Sequence, residues 1–393
     1  MSTNTETERQ KIKICHIAHK LTGKSDGVWT HLKMLFELLE KDRFEQILMY
    51  SGNEENINTY AKSVGIKVYN IQELNKKIPV KLFFNMLNNL KKENVDIIHT
   101  HLVKPYIFAG LINLFLGKKL IFNYQGIFLS RFYYSRIENA LIKLLHNIIQ
   151  FINNGRDVLA ITPSKNSAKE LIENGIRFNK ILHYYNGFRI SCVRNDILID
   201  KNVVNFIEEL KKKYFLICIV ARHEKQKRLD IALEVLNKLI NEKLNVFFVF
   251  IGDGPQFIEI QNLAQKIGVR ERSHFIEYLK NLPNYLHLFD LMLFTSEWEG
   301  FPLTIWEAMY YGVPILSSDV GGIKEILEQE SCGIVYPFGD VDKCVEIIKE
   351  LYFNNEKLKL LGENGRRAIL TKYNEKQFKE FFFNLYTELV NEK

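Results

Sequence analysis

Two glutamates, Glu299 and Glu307, stand seven residues apart in the run Ser296-Glu297-Trp298-Glu299-Gly300-Phe301-Pro302-Leu303-Thr304-Ile305-Trp306-Glu307-Ala308-Met309. The surrounding pattern predicts that Glu299 lies in a loop after a strand at 290–295. It places Glu307 one turn into the helix that follows. The Gly-Phe-Pro-Leu helix start carries backbone N–H groups without intrahelical partners, which suits an anion such as a phosphate. A loop carboxylate beside such donors can accept hydrogen bonds from sugar hydroxyls, and one on the helix can do the same for a ribose diol. On spacing alone, two surface glutamates are an equally good reading.

A second group follows a predicted strand at 214–221, where Ala221-Arg222-His223-Glu224-Lys225-Gln226-Lys227-Arg228 begins. An arginine fork at Arg222 and a point charge at Lys227 would together neutralise a diphosphate. A solvated basic loop is the plainer alternative. Gly252-Asp253-Gly254-Pro255 and Val320-Gly321-Gly322 each read as tight strand-to-helix turns, with no side chain at the glycines to block close approach. Near the start, Lys24-Ser25-Asp26-Gly27 offers backbone donors between the first strand and the first helix. Neither a GxGxxG nor a GxxxxGK[ST] loop is present, which counts against a standard dinucleotide or P-loop site. His99 and His101 share one strand face. As a metal pair they lack other placed ligands, so a structural role is the stronger reading. Asp340-Val341-Asp342 matches a metal-binding DxD formally, but its place after Pro337-Phe338-Gly339 predicts Asp340 as a helix N-cap.

These residues must be held by repeated strand and helix units. Strands are predicted at 11–18, 46–50, 66–70, 95–100, 119–124, 158–162 and 181–185, with helical stretches between most of them. After a weak stretch at 186–204 the alternation restarts, with strands at 214–221, 244–251, 273–277, 290–295, 314–317 and 333–336. Near-continuous apolar strands such as 95–99 indicate a parallel sheet covered on both faces. The result is an α/β chain of two Rossmann-like doubly wound domains, 1–193 and 194–372. A last helix within 373–393 carries Phe378, Phe381, Phe382, Leu385 and Leu389. Ligands of such sheets bind outside the carboxyl ends of the strands, so the cleft between the domains is the expected site.

The 393 residues suit two domains, and 47% hydrophobic against 25% charged residues excludes a disordered chain. Residues 1–193 hold 27 lysines and arginines against 16 acidic residues, whereas residues 194–393 hold 26 against 30. The basic half therefore expects an anionic partner. Its basic and aromatic stretches at 76–92 and 131–136 suit an anionic membrane surface, although a helix with its apolar side in the core explains them too. No recognised nucleic-acid module is visible. Five scattered cysteines without CxxC spacing fit a reducing cytosol. The polar N-terminus does not read as a signal peptide, and the longest apolar run, 106–117, is too short to span a membrane.

Arg222-x4-Lys227, Gly-Asp-Gly-Pro, Glu299-x7-Glu307 with Ala-Met after it, and Gly321-Gly322 occur in that order. In this the second domain resembles glycosyltransferase family 4, retaining enzymes with the GT-B fold. The first domain resembles it more loosely, through Asp26-Gly27, the strand 96–101, residues 161–164 and Asn186-Gly187. The resemblance implies that the two domains face across a cleft and that the C-terminal helix crosses back to the first. It implies that Arg222 and Lys227 hold and stabilise a donor diphosphate, that Glu299 contacts the transferred sugar and that Glu307 holds the ribose. Gly252, Tyr278, Phe301, Pro302 and Leu303 complete the donor side. Gly27, His101 and Gln125 would line the acceptor side. Three departures matter: Ala221 and Arg228 replace the usual glycines flanking the Arg/Lys pair, and Gln125 stands where a histidine is frequent.

The expected activity is retaining transfer of a hexose or N-acetylhexosamine. The donor would be a UDP-linked nucleotide sugar, without a metal or other cofactor. The acceptor would be a glycan or lipid-linked molecule in bacterial surface-polysaccharide synthesis, handled in the cytoplasm or at the inner face of the cytoplasmic membrane. A non-catalytic partner of an active homologue, motivated by Gln125 and Ala221, is one alternative. A nucleotide-sugar epimerase on the same fold is another.

Overall fold

A computed structural model describes residues 11–21, 27–72, 80–124, 136–153, 158–176, 178–193, 200–299 and 302–391. The chain divides into two compact units. Unit 1 comprises residues up to Asn186 together with Glu375 onward, and unit 2 comprises Gly187–Asn374. These boundaries replace the 193/194 and 372/373 divisions expected from sequence. In unit 2, Phe188 and Asn374 form a parallel bridge, so the incoming and outgoing segments run side by side. A Cβ on Gly187 would stand 2.9 Å from the Asn374 carbonyl oxygen, so this pairing needs glycine.

Unit 1 runs β1 (Ile12–Leu21), α1 (Gly27–Leu38), β2 (Phe44–Gly52), α2 (Glu54–Val64), β3 (Lys67–Asn70), α3 (Val80–Glu93), β4 (Ile97–His101), α4 (Val103–Leu116), β5 (Lys119–Asn123), α5 (Arg136–Ile152), β6 (Val158–Thr162), α6 (Lys165–Glu173) and β7 (Lys180–His183). Its seven strands are parallel in the order β3-β2-β1-β4-β5-β6-β7. One sheet face is covered by α3 to α6, through Leu82, Met86, Leu90, Tyr106, Ile112, Ile149 and Leu171. Helix α1 covers part of the other face, together with the last helix, whose Phe378, Phe382, Leu385, Tyr386 and Leu389 pack with Ile14, Ile97 and Ile121.

Unit 2 runs α7 (Lys201–Lys211), β8 (Phe215–Val220), α8 (Leu229–Asn241), β9 (Val246–Ile251), α9 (Phe257–Lys266), β10 (Ser273–Ile276), β11 (Leu291–Phe294), α10 (Leu303–Tyr310), β12 (Ile315–Ser318), α11 (Ile323–Glu330), β13 (Gly333–Tyr336), α12 (Val341–Phe353) and α13 (Asn355–Thr371). The chain then ends in α14 (Glu375–Asn391), which belongs to unit 1. The second sheet is also parallel, in the order β10-β9-β8-β11-β12-β13. Strand order therefore reverses between β1 and β4 in unit 1 and between β8 and β11 in unit 2. Ligands of open α/β sheets bind at the carboxyl ends of the strands flanking such a reversal. In unit 2 those ends are residues 221–227 and 295–299.

One expectation changes on the structure. Helix α7 occupies part of 186–204 and beyond, where the alternation looked weak. It is capped by Asp200, whose side chain accepts from the Asn202 N–H, and only Ile207 along it is buried. The apolar run 106–117 is largely α4 and packs in the core through Tyr106, Ala109 and Ile112. Among the described residues no helix is long and apolar enough to cross a membrane. Cys15, Cys218, Cys332 and Cys344 are buried free thiols.

Candidate functional site

The carboxyl ends of β8 and β11 are joined by hydrogen bonds to backbone carbonyls. Glu297 N donates to Gln226 O at 2.8 Å, and Thr295 Oγ1 donates to Lys227 O at 2.8 Å. Ser318 Oγ, at the end of β12, donates to Ser296 O at 2.6 Å. On this frame Lys227 Nζ and Glu299 Oε1 form an ion pair at 2.5 Å, with side chains 16% and 6% exposed. Ser296 Oγ donates to the same Oε1 at 2.6 Å. Among the described residues nothing donates to Oε2 of Glu299, so that oxygen is left by them to accept from a ligand hydroxyl.

Helix α10 starts beside this pair in sequence. Its N-cap is Pro302, which supplies no side-chain cap, and the first turn holds no acidic residue. The Leu303 and Thr304 N–H groups therefore face an uncompensated positive dipole end. One turn on, desolvation pushes the Glu307 carboxyl up to about 7, and its backbone carbonyl accepts from Tyr311 N at 3.1 Å. Hydroxyl donors from a ligand would favour its charged form and reverse that shift. Phe301 and Gly300 lie outside the described residues.

The glycines of the 252–254 turn serve the neighbouring loop. Gly252 has φ +138° and a Cβ there would stand 2.1 Å from Ala221 O; Gly254 has φ +147° and a Cβ would stand 2.7 Å from His223 N. Such contacts are impossible for any residue but glycine. His223 N in turn donates to Asp253 O at 2.6 Å, and Gln256 N donates to His223 O at 2.9 Å. The side chain of His223 is buried against Phe257, and both ring nitrogens lack partners. Sequence reasoning passed over His223, whose only signal was its place between Arg222 and Lys227. Arg222 is 70% exposed and pairs with Glu224 Oε1 at 2.8 Å. Tyr278 is 79% exposed.

The two departures that can be described have physical explanations. Arg228 sits at φ +47°, in the left-handed region where glycine is easiest. Its guanidinium is engaged by Asp230 at 2.9 Å and lies over the Phe338 ring at 5.7 Å, so it is tied back into the unit. Ala221 has no positive φ, so glycine has no conformational advantage there. Asp340 is the N-cap of α12, accepting from Lys343 N at 2.9 Å, and Asp342 pairs with Lys238 at 2.6 Å.

In unit 1 the acceptor-side residues fare differently. Gly27 opens α1, and a Cβ there would meet nothing within 4 Å, so the space is open. Gln125 and the 24–26 loop lie outside the described residues. His101 requires a correction, because it is fully buried and lies 3.3 Å from His16 and 3.5 Å from Asn123. Core packing, which the shared face with His99 already suggested, has claimed it, and it offers no surface to an acceptor.

Two doubly wound parallel sheets, with a lysine–glutamate pair at the strand-order reversal of the second, fit an enzyme that holds its ligand at those strand ends. Residues 25–191 match the profile described as Glycosyltransferase Family 4, and residues 200–368 match Glycosyl transferases group 1. The chain belongs to the family-4 type of glycosyltransferase and is a transferase enzyme. It is 24% identical to the N-acetyl-alpha-D-glucosaminyl L-malate synthase of Bacillus anthracis, over 97% of this chain and 98% of that one. It is 23% identical to an Escherichia coli UDP-Gal:alpha-D-GlcNAc-diphosphoundecaprenol alpha-1,3-galactosyltransferase, over 99% and 100%. In fold it matches Anabaena HepE, solved in complex with UDP, at a TM-score of 0.77 and 18% identity, over 96% of this chain and 100% of that one.

Proposed function

We propose that this enzyme is a retaining glycosyltransferase that moves a hexose or N-acetylhexosamine from a UDP-linked donor without a metal. The observation that carries this reading is the Lys227–Glu299 pair, set at the carboxyl ends of β8 and β11 with Glu299 leading to the uncapped start of α10. Lys227 and Arg222 would hold the diphosphate, and the Leu303 and Thr304 N–H groups would take part of its charge. Glu299 would accept from hydroxyls of the transferred sugar and Glu307 from the ribose diol, with Gly252 and Tyr278 near the nucleoside. The acceptor oxygen forms its bond to the anomeric carbon as the carbon–phosphate oxygen bond breaks. The acceptor proton passes to the departing diphosphate, so no protein base is needed and glutamine at 125 is compatible with turnover. Thermal shifts against UDP-, GDP- and ADP-sugars in the presence of chelator test the donor. Stabilisation by UDP-sugars alone supports the reading. Stabilisation without turnover on any acceptor pool would favour a non-catalytic partner, and a changed sugar nucleotide without acceptor would favour an epimerase.

For the acceptor we propose a glycan on an anionic lipid carrier in bacterial surface-polysaccharide synthesis, met at the inner face of the cytoplasmic membrane. The support is α5. Ile137, Leu141, Leu144, Ile148, Phe151 and Ile152 are all exposed along it, Ile137 and Phe151 at 82% and 80%. Their spacing forms a single stripe. Helix α4 beside it adds exposed Phe115, and α3, which packs on α4, adds exposed Phe84 with exposed Lys81, Lys91 and Lys92. Sequence reasoning put the membrane face on 76–92 and 131–136, and the exposed Phe84, Lys81, Lys91 and Lys92 belong to the first of these stretches. There Leu82, Met86, Leu87 and Leu90 turn into the core, and 131–135 lies outside the described residues. Apolar side chains flanked by lysines suit an anionic bilayer interface. Leu141→Asp with Leu144→Asp should weaken sedimentation with phosphatidylglycerol vesicles about tenfold or more. Unchanged vesicle binding with an altered oligomeric state would assign the stripe to self-association.

A further inference from the structure

Unit 1 holds a cavity of about 340 Å³, apart from every residue placed in the transfer reaction. Its walls come from three elements. Glu54 opens α2, Asn70 ends β3 with Ile71 and Gln72 just after it, and α3 contributes Leu82, Asn85, Met86 and Asn89. Those four α3 residues recur at helical spacing and so share one face. The cavity therefore lies at the carboxyl ends of β2 and β3, with β1 the next strand along the sheet.

The lining combines a fixed apolar part with polar groups that no neighbour uses. Ile71, Leu82 and Met86 are buried. Ile71 N donates to Tyr50 O at 2.7 Å, and Gln72 Nε2 donates to Gly52 O at 2.5 Å, which ties residues 71 and 72 to β2. By contrast, among the described residues no group bonds to the side-chain amides of Asn85 and Asn89. Asn70 uses only Oδ1, which accepts from Gln72 N at 2.8 Å. Asparagine is a weak helix former because its side chain competes for backbone partners. Two unbonded asparagines on the cavity side of α3 therefore carry a local cost that packing does not recover, and such local conflicts collect at functional sites.

Free amides present donors and acceptors together, and Glu54 adds a further acceptor, as the hydroxyls of a sugar require. The buried aliphatic side chains suit the C–H face of its ring. No lysine or arginine lines the cavity and its one charge is negative, so an anionic group is disfavoured. No aromatic ring lines it, so a nucleobase has no surface to stack on. A single carboxylate is little charge for a divalent cation, and the volume is that of a small-molecule pocket. We propose that this cavity binds a neutral sugar residue of the acceptor glycan, away from the reacting hydroxyl, through Asn70, Asn85, Asn89 and Glu54. The inference rests on the glycan acceptor proposed above. Strand β3 is two places from β1, about 10 Å at the spacing of adjacent strands, and the open space at Gly27 follows β1. A short glycan laid from Gly27 along the strand ends would bring a later sugar to the cavity.

The test follows the asparagine side-chain amides of the full chain in a proton–nitrogen correlation spectrum, assigned with Asn85→Ala and Asn89→Ala. The probes are methyl glycosides of glucose, galactose, mannose and N-acetylglucosamine, neutral trisaccharides built from them, and glucuronate. At least one neutral glycoside should shift the Asn85 and Asn89 signals saturably, and a trisaccharide containing it should bind more tightly. Glucuronate should shift neither. Asn85→Ala with Asn89→Ala should weaken the binding about tenfold or more and melt no lower than the wild type, because alanine favours the helix. Absence of a saturable shift overturns the proposal, as does unchanged affinity in the folded double variant or equal binding of glucuronate. A trisaccharide that binds no better than its methyl glycoside overturns the acceptor role and assigns the cavity to a free monosaccharide. The donor and vesicle tests above read other residues, so the proposed function can stand when this inference fails, and the reverse.

Discussion

Lys227 and Glu299 neutralise one another at 2.5 Å while both are largely shielded from water, so neither can be removed without stranding the other. Removing one partner of such a pair costs about 3–5 kcal/mol, because an uncompensated charge stays buried. Lys227→Ala and Glu299→Gln should each lower kcat by about 10²-fold or more through lost transition-state contacts. Lys227→Ala should also lower the melting temperature. Combining the two substitutions should recover much of the stability and none of the activity; recovered turnover in the double variant would sink the assignment. Glu307 adds a second expectation. Its carboxyl, raised to about 7 by desolvation, is largely protonated at pH 6.5. A ribose diol donating to it favours the charged form, so UDP binding should release a fraction of a proton at pH 6.5. Titration calorimetry in buffers of different ionisation enthalpy reads that release, and Glu307→Gln should abolish it. The sequence marked Lys227 and Glu299 separately by type and spacing. Their direct pairing, and the contribution of Ser296, depend on the adjacency of β8 and β11 in the sheet and have no local signal.

At the scale of elements, the 252–254 turn and the 221–223 loop are held at backbone contact by two glycines. Gly254→Ala should cost about 1–3 kcal/mol from its φ alone, with more from the clash at His223. Urea denaturation measures the loss, and weaker UDP-sugar binding should accompany it because Arg222 moves with the loop. A variant as stable as the wild type would mean that the loop can relax away. The strands were legible because buried parallel strands are continuous apolar runs: β9, residues 246–251, is one such run and is fully buried. Helix α5 shows the opposite case. Its apolar residues recur at helical spacing, but such a stripe in sequence does not say whether it meets the core or solvent. Here Ile149 and His146 turn inward, and the stripe from Ile137 to Phe151 is left outside.

Across the whole molecule, the proposed function would assign the two unevenly charged halves different tasks: the acidic half holds the Lys227–Glu299 pair, and the basic half holds the exposed stripe and the α3 lysines. The histidines of unit 1 set its response to acid. Burial lowers His16 to about 3 and His31 to about 4, and holds His99 and His101 well below their ordinary value. Their unfolded value is about 6.5. Above it neither state is protonated and nothing changes. Between about 6.5 and 4 the unfolded chain takes up protons that the native unit refuses. Stability should therefore fall on acidification by about 1.4 kcal/mol per pH unit for each such histidine. Denaturant midpoints at pH 7.5 and 5.5, measured with chelator present, check this; equal midpoints would contradict the buried neutral cluster.

The return of α14 to unit 1 also orders events during synthesis. Phe378, Phe382 and Tyr386 fill the same core as Ile14 and Ile97, yet they are made only after the whole of unit 2. Domains usually mature from the N-terminus as they emerge. Here Gly187–Asn374 is an uninterrupted stretch and can close first. The earlier-made unit must wait, with one sheet face partly uncovered, for its final helix. The nascent chain therefore carries unit 1 incomplete for as long as unit 2 is being made, and chaperone demand should concentrate in that interval.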